Sequence, residues 1–141
     1  MFLTEKELRD TFWKNYNYGG RALKYQFEIE FRTGSTDLLT LEKFQGHYQL
    51  NAFEFKLADM KKVILQAKGN RPYVNRSWVV VPSEKQGLLA GKYKSCLQEA
   101  GIGVITVEEG GRWQMVRKPG FQKDIRMNQG IIDFLAGRIS G

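Results

Sequence analysis

The chain has 141 residues, of which 42% are hydrophobic and 13% aromatic, and this composition favours one folded domain over residues 1–141 and excludes a disordered chain. No apolar run approaches the roughly 20 residues of a membrane span, and the first ten positions include acidic residues where a secretion signal is apolar, so we expect a cytoplasmic protein without membrane contact. Cys96, the single cysteine, allows no internal disulfide, and with His47, the single histidine, it excludes a Cys/His zinc site.

The net charge of +7 is unevenly distributed along the sequence. Residues 1–57 carry eight basic and eight acidic side chains, whereas residues 58–96 carry eight basic and two acidic side chains. Residues 111–141 carry six basic and two acidic side chains. A polyanion such as DNA is the natural partner of such a surface, and a solvated basic face that keeps the protein soluble is the alternative.

The first half of the sequence predicts a helix followed by three strands. Thr4 and Glu7 form a capping box, so a helix is expected over residues 4–16. Apolar and polar residues alternate over residues 25–31 and twice more within residues 37–57, which is typical of half-buried strands. Short turns separate the three strands, and we therefore expect an antiparallel meander.

The second half predicts alternating helices and strands. Asp59 is a good N-cap for a helix over residues 59–69, and the apolar segment SWVVVP is typical of a buried strand. The remaining predicted elements are an amphipathic helix over residues 84–99 with Cys96 on its apolar face, strands near 100–108 and 112–118, and a last helix over 123–138. This order predicts an α/β (α+β) fold in which a meander followed by β-α-β forms a mixed sheet with helices on both faces.

The hairpin between the second and third strands predicts a pair of carboxylates. If the chain turns at Gln45 and Gly46, opposed residues have numbers that sum to 91, and Asp37 faces Glu54 on one side of the sheet. Lys56 follows one step along the same face. Two opposed carboxylates repel each other unless a cation lies between them, and oxygen ligands suit Mg²⁺ or Mn²⁺. A register slip of one residue would instead move Asp37 to the other face.

Two short motifs lie on these predicted strands: Thr36-Asp37 and, further along the chain, Glu54-Phe55-Lys56. Their residues and the order of the elements that carry them resemble the PD-(D/E)XK nuclease superfamily, whose fold is restriction-endonuclease-like. The resemblance covers about residues 4–82. It implies that Asp37 and Glu54 bind the metal and that Lys56 positions or activates the attacking water. Gln66 matches a glutamine that recurs on the helix after the E-x-K strand in that family. Thr36 stands where the family usually has proline.

The resemblance further implies a Mg²⁺-dependent nuclease that cleaves DNA, and a homodimer is compatible with this activity because many enzymes that cut both strands act as dimers. An acidic residue on the first helix also joins the site in many members, and here it is Glu5 or Glu7. Basic side chains in the second half would contact the phosphate backbone: Lys61, Lys62, Lys68, Arg71, Arg76, Arg112, Arg117, Lys118, Lys123 and Arg126.

Other interpretations of the same residues stay open at this stage. Asp37 could end the preceding turn through a bond from its side chain to the backbone, and Gln66 could be an ordinary exposed helix residue. Trp113, next to Arg112, is the best candidate for stacking on a base, although a core position is the alternative. The chain could also hold nucleic acid, or an acidic protein, without cleaving anything.

Overall fold

Six strands form one mixed sheet in the computed structural model, which describes residues 1–137. In chain order, which is also their order across the sheet, they are β1 (Ala22–Ile29), β2 (Thr36–Phe44), β3 (His47–Phe55), β4 (Arg76–Pro82), β5 (Gly103–Val107) and β6 (Trp113–Arg117). Strands β1, β2 and β3 pair antiparallel, β3, β4 and β5 pair parallel, and β6 returns antiparallel to β5. The predicted meander followed by β-α-β, and the mixed sheet, are confirmed.

Helices cover both faces of this sheet, as the sequence predicts. They are α1 (Glu5–Tyr16), α2 (Met60–Asn70), α3 (Gln86–Ala90), α4 (Lys94–Ala100) and α5 (Gln129–Leu135), with two short 3₁₀ turns at residues 71–73 and 83–85. Helix α1 packs against one face, over the aromatic side chains Phe53, Phe55 and Trp78. Helices α2, α3 and α4 pack on the opposite face over Val79 and Val81, and α5 covers the same face above β1 and β2.

Side-chain caps set the start of the two helices nearest the E-x-K segment. The Thr4 Oγ1 atom accepts a hydrogen bond of 3.0 Å from the Glu7 backbone N–H, and the Glu7 carboxylate accepts one of 3.2 Å from the Leu3 N–H. The Asp59 carboxylate accepts a bond of 3.0 Å from the Lys62 N–H. Since β3 ends at Phe55, the Asp59 cap starts α2 four residues later and brings this helix back over the sheet.

Two predicted helices differ from the structure. The helix predicted over residues 84–99 is broken at Gly91, whose backbone leaves the helical region at φ −107° and ψ −90°. Glycine in a helix interior costs about 1 kcal/mol relative to alanine, so a break at this position is inexpensive. The separate helix α4 turns Leu97 into the core but leaves Cys96 exposed, which corrects its placement on the buried face.

The last helix is shorter than the predicted span of residues 123–138. It begins only after Asn128, whose side chain accepts a bond from the Ile131 N–H, and residue 138 lies outside the described residues. The preceding segment is irregular because its backbone bonds elsewhere: the Gln122 N–H donates to the Asn75 carbonyl and the Arg126 N–H to the Pro72 carbonyl, both at 2.8 Å. These bonds take donors that a helix would need.

None of the helices within residues 1–137 is long and apolar enough to cross a membrane.

Strand β5 begins at Gly103, and the Trp78 indole ring occupies the space where the Cβ atom of any other residue would lie. A Cβ atom at Gly103 would lie 2.6 Å from Trp78 Cε3 and 2.9 Å from Pro119 Cδ. The indole is fixed from its other side, because Trp78 Nε1 donates a bond of 3.0 Å to the Asn51 side chain. The ring therefore has little freedom to move away from an added methyl group.

We expect Gly103→Ala to lower the free energy of unfolding by about 1–3 kcal/mol, the usual range for overpacking a core. Urea unfolding followed by tryptophan fluorescence measures this change. Gly110→Ala is the matched control, since a Cβ at Gly110 meets no atom within 4 Å. Equal unfolding midpoints for the two variants would contradict the close contact between Gly103 and Trp78.

Candidate active site

The β2–β3 hairpin has the register that its sequence predicts. Phe44 pairs with His47 and Leu38 pairs with Phe53 across the hairpin. The two turn residues, Gln45 and Gly46, have φ values of 50° and 80°. Two successive residues in the left-handed backbone region form a type I′ turn, whose twist matches that of the two strands it joins. The turn therefore fixes the register along both strands.

This register brings Asp37 and Glu54 together on one face of the sheet. Asp37 directly precedes Leu38, and Glu54 directly follows Phe53, so both acids point away from the face that Leu38 and Phe53 share with α1. The Asp37 carboxylate also accepts a hydrogen bond of 2.8 Å from the Phe55 backbone N–H. The two acids therefore lie side by side at the edge of the sheet where β3, β4 and β5 end, which we call the carboxyl edge.

Glu54 is a fully buried acid with one satisfied and one unsatisfied oxygen. Its exposed fraction is 0%. Its Oε2 atom accepts bonds from Asn70 Nδ2 at 2.7 Å and Arg32 Nη2 at 3.1 Å, whereas its buried Oε1 atom has no hydrogen-bond partner. Burial, and next the nearby charge of Asp37, raises the pKa of Glu54 to about 7, against the opposing effects of Asn70 and Arg32.

Asp37 is half-buried, and its ionisation is disfavoured for related reasons. Burial is the largest cause that raises the pKa of Asp37, and the charges of Glu28 and Glu5 act in the same direction. The Phe55 N–H bond and the charge of Lys56 lower the pKa without offsetting the burial. Two neighbouring carboxylates that both resist ionisation form a site where a bound cation would relieve repulsion and desolvation together.

Lys56 completes the group from just beyond the end of β3. Its Nζ atom lies 3.3 Å from the Glu5 Oε2 atom, and its side chain is only 17% exposed. Its backbone N–H bonds the Val80 carbonyl at 3.3 Å, which extends the pairing with β4 by one residue. Of the two acids on α1, the structure therefore brings Glu5 to the site, and Glu7 serves as the helix cap.

Gln66 presents a second buried oxygen without a partner. Its Oε1 atom is buried and unbonded, and the residue lies one helical turn before Asn70, the α2 residue that bonds Glu54. Residues four apart on a helix share a face, so Gln66 lies on the side of α2 that faces the acidic pair. Buried acceptors without donors are unfavourable by about 1–3 kcal/mol each, and a cation or an ordered water satisfies them.

The donors present fit a hard divalent cation. They are carboxylate and amide oxygens, the ligands that Mg²⁺ prefers, and Mg²⁺ is usually held by one or two carboxylates with water and substrate phosphate. Within residues 1–137 no group of three or more histidine, cysteine or acidic side chains is arranged to hold a metal ion. The protein would thus supply two carboxylates, Asp37 and Glu54, and leave the other positions to water and substrate.

Arg32 and Asn70 are site residues that sequence reasoning missed. The Arg32 guanidinium bonds Glu54, and its Nε atom donates to Asn70 Oδ1 at 2.5 Å. The same Asn70 oxygen accepts a bond of 2.7 Å from the Thr36 hydroxyl. Thr36, which departs from the proline of the resembled family, thereby orients the amide that holds Glu54. An arginine in a turn and an asparagine at a helix end carry no local signal for this network.

The basic residues predicted to contact DNA divide between the two ends of the sheet. Lys61 and Lys62 lie exposed in the first turn of α2, and Arg112 lies exposed in the β5–β6 turn, so these three share the carboxyl edge with the acids. The opposite end, where β3, β4 and β5 begin, is the amino edge. The residues at or near it are Arg71, Arg76, Arg117 and Lys118.

Five of the predicted contact residues differ in their local surroundings. Lys68 is exposed in the last turn of α2. Arg71 donates to the Ala100 carbonyl at 3.3 Å, and burial lowers the pKa of Arg71. Arg76 lies between the rings of Phe44 and Phe121. Lys123 and Arg126 are exposed in the irregular segment before α5.

No protein-family model matches this chain, and no curated protein matches it. The assignment of a function therefore depends on the geometry of the chain itself.

Proposed function

We propose that this protein is a metal-dependent nuclease that hydrolyses DNA phosphodiester bonds at Asp37, Glu54 and Lys56. The observation that carries the proposal is the convergence of two acids from neighbouring strands beside a lysine, with one buried Glu54 oxygen unsatisfied. We further propose that the fold is restriction-endonuclease-like and that the chain is a member of the PD-(D/E)XK superfamily. The mixed sheet and the position of α1 beside the site support this assignment.

Each residue has a role that follows from its surroundings. Asp37 and Glu54 would hold Mg²⁺, which would neutralise the phosphate charge and favour ionisation of an attacking water. Lys56, held by Glu5 at the mouth of the site, orients the water or stabilises the charge that develops on the phosphate. Gln66, whose oxygen is unbonded, accepts a hydrogen bond from water at the same place.

The charge distribution supports DNA as the substrate. Lys61, Lys62 and Arg112 place three exposed positive charges at the carboxyl edge, where the exposed acids Asp59, Glu108 and Glu109 also lie. Contacts to backbone phosphates position a duplex without reading its sequence. Cleavage that falls steeply with added salt is therefore expected, because each neutralised phosphate releases counterions. A homodimer that cuts both strands is part of the same proposal.

We expect Lys56→Ala to reduce DNA cleavage in Mg²⁺ by about 10²–10³-fold, the usual loss on removing one group that stabilises transition-state charge. Conversion of a supercoiled plasmid, compared with and without EDTA, measures it. Lys92→Ala is the matched control, since Lys92 is exposed and its ammonium group lies 5.4 Å from the centre of the Tyr93 ring, away from the site. Equal cleavage by the Lys56→Ala protein would refute this active site.

One observation favours a second function, a nucleic-acid-binding module on the same fold. The Arg32 guanidinium already neutralises Glu54, and no cluster of three or more metal-ligating side chains lies within residues 1–137. A module of this kind would bind DNA in a salt-dependent way that neither EDTA nor Asp37→Asn changes. It would bind no Mn²⁺, which distinguishes it from the nuclease.

A further inference from the structure

A second concave site lies on the α1 face of the sheet, opposite the face of the acidic pair, and extends from the amino edge to the start of β6. It is a cavity of about 260 Å³. Its walls come from the end of α1, the end of β2, the starts of β3 and β4, and β6. Ligand pockets for drug-sized molecules span about 300–1,000 Å³, so this smaller cavity suits one aromatic base, with the rest of the ligand at its mouth. We call it the aromatic pocket.

Two guanidinium groups that form no direct ion pair with a carboxylate line the aromatic pocket. The Arg21 guanidinium lies 4.6 Å from the centre of the Tyr16 ring and 5.2 Å from that of Trp113. The Arg76 guanidinium lies 5.7 Å from the centre of the Phe44 ring. Neither forms an ion pair with a carboxylate among residues 1–137, and the buried Arg76 Nε atom has no hydrogen-bond partner. Guanidinium groups in this state are suited to bind a phosphate.

The one acid of the pocket, Glu42, is already engaged by the protein. The Glu42 carboxylate accepts bonds of 2.8 Å from the Tyr16 hydroxyl and 2.6 Å from the Thr40 hydroxyl. Burial is the main cause that raises the pKa of Glu42, and the charges of Arg21 and Arg76 act to lower its pKa. With Arg21, Arg76 and Lys43 against this single carboxylate, the lining carries a net positive charge and attracts an anion.

The floor of the pocket offers an amide edge beside aromatic rings. The Asn51 Oδ1 atom accepts a bond of 3.0 Å from Trp78 Nε1, which leaves the Asn51 amide protons for a ligand. The Gln49 carboxamide is buried and makes no hydrogen bond to other residues in the described part of the chain. Asparagine and glutamine amides pair well with the edges of nucleobases, adenine above all, and Trp113 offers a partly exposed ring for stacking.

We propose that the aromatic pocket binds a mononucleotide. The base lies against Trp113 with its edge on Gln49 and Asn51, and the phosphate lies on Arg21 and Arg76. The combination of a planar apolar wall, an amide edge and two guanidinium groups that outnumber the single carboxylate within one cavity carries this inference. It does not depend on the nuclease proposal, because the pocket and the acidic pair lie on opposite faces of the sheet.

Calorimetric titration with dAMP in the presence of EDTA tests the proposal, because EDTA removes any metal-dependent binding at Asp37 and Glu54. We expect saturable binding with one site per chain. Deoxyadenosine, which lacks the phosphate, and inorganic phosphate, which lacks the base, should each bind at least tenfold more weakly than dAMP. Arg21→Ala should weaken dAMP binding at least tenfold, and Lys92→Ala should leave it unchanged.

Three outcomes would overturn the proposal: no dAMP binding by the wild-type protein, inorganic phosphate binding as tightly as dAMP, or dAMP binding that Arg21→Ala leaves unchanged. Arg21 is exposed at the surface, so its replacement is not expected to unfold the chain, and thermal unfolding verifies this. Asp37→Asn separates the two sites. It should abolish cleavage and leave dAMP binding intact.

Discussion

Glu54→Gln is expected to abolish DNA cleavage and at the same time to stabilise the protein at pH 8. Catalysis is lost because an amide is a poor ligand for Mg²⁺ at a site that has only two carboxylates. Stability rises because the pKa of Glu54 is about 7 in the folded chain against an ordinary value of 4.5, so the fold disfavours its charged form. The neutral amide keeps an oxygen for the bonds from Asn70 and Arg32.

The pH dependence of this effect has a definite sign. A folded-state pKa above the unfolded value means that the folded protein holds the proton longer, so the stability from this group is fully present below about pH 4.5 and is lost as pH rises through about 7. At about 1.4 kcal/mol per pKa unit, the wild-type protein should lose about 2–3 kcal/mol between pH 5 and pH 8 at this residue. Glu54→Gln should lack this loss.

Urea unfolding at pH 5 and pH 8, in EDTA, measures the difference between wild type and Glu54→Gln. The variant should be the more stable protein at pH 8, and the gap should shrink at pH 5. Glu84→Gln, at an exposed position, is the matched control and should follow the wild type at both pH values. A Glu54→Gln protein that is less stable than the wild type at pH 8 would show that the charged carboxylate is the favoured form.

Metal binding is expected to weaken about tenfold for each pH unit below about 7. A carboxylate must lose its proton to ligate a cation, and the pKa of Glu54 lies near 7 because the residue is buried beside Asp37. Between pH 7 and pH 5 the apparent affinity for Mn²⁺ should therefore fall by about 50-fold. The raised pKa of Asp37 acts in the same direction and can only steepen this dependence.

Calorimetric titration of Mn²⁺ at pH 5, 6, 7 and 8 measures this dependence, and Asp37→Asn should bind no Mn²⁺ at any of them. Binding should also raise the unfolding temperature of the wild type, since a ligand that binds only the folded state stabilises it. An affinity that stays constant from pH 5 to pH 8 would place the ion away from Glu54. The absence of Mn²⁺ binding by the wild type would favour the binding module.

Local patterns were sufficient to predict the elements that bear the acidic pair. Alternation gave β2 and β3, and the Gln45-Gly46 turn fixed their pairing, so the opposition of Asp37 and Glu54 follows from two short segments. The caps at Thr4 and Asp59 marked the starts of the helices on either side. Each of these signals arises within about ten residues, where the physics of turns and caps is local.

Features that depend on distant contacts could not be predicted in this way. Arg32, Asn70 and Glu54 meet only because a turn, a helix end and a strand converge in three dimensions. The irregular segment before α5 bonds to Pro72 and Asn75, about 50 residues earlier in the chain, and its own sequence gives no sign of those partners. Gly91 itself was a local signal for a break in the helix. The amphipathic spacing on both sides of this glycine nevertheless predicted one continuous helix.

The ion pair between Arg32 and Glu54 makes cation binding at this carboxylate an exchange. The Arg32 guanidinium already bonds the Oε2 atom and acts as a resident counter-charge, so an incoming ion at the free Oε1 atom competes with part of the protein itself for the charge of one carboxylate. The affinity measured for a cation at Glu54 therefore reflects a difference in free energy between two states of the carboxylate. In one state it is paired with Arg32 alone, and in the other it also binds the cation. Replacing Arg32 by an uncharged residue would therefore raise the affinity of the site for any cation that the solution supplies.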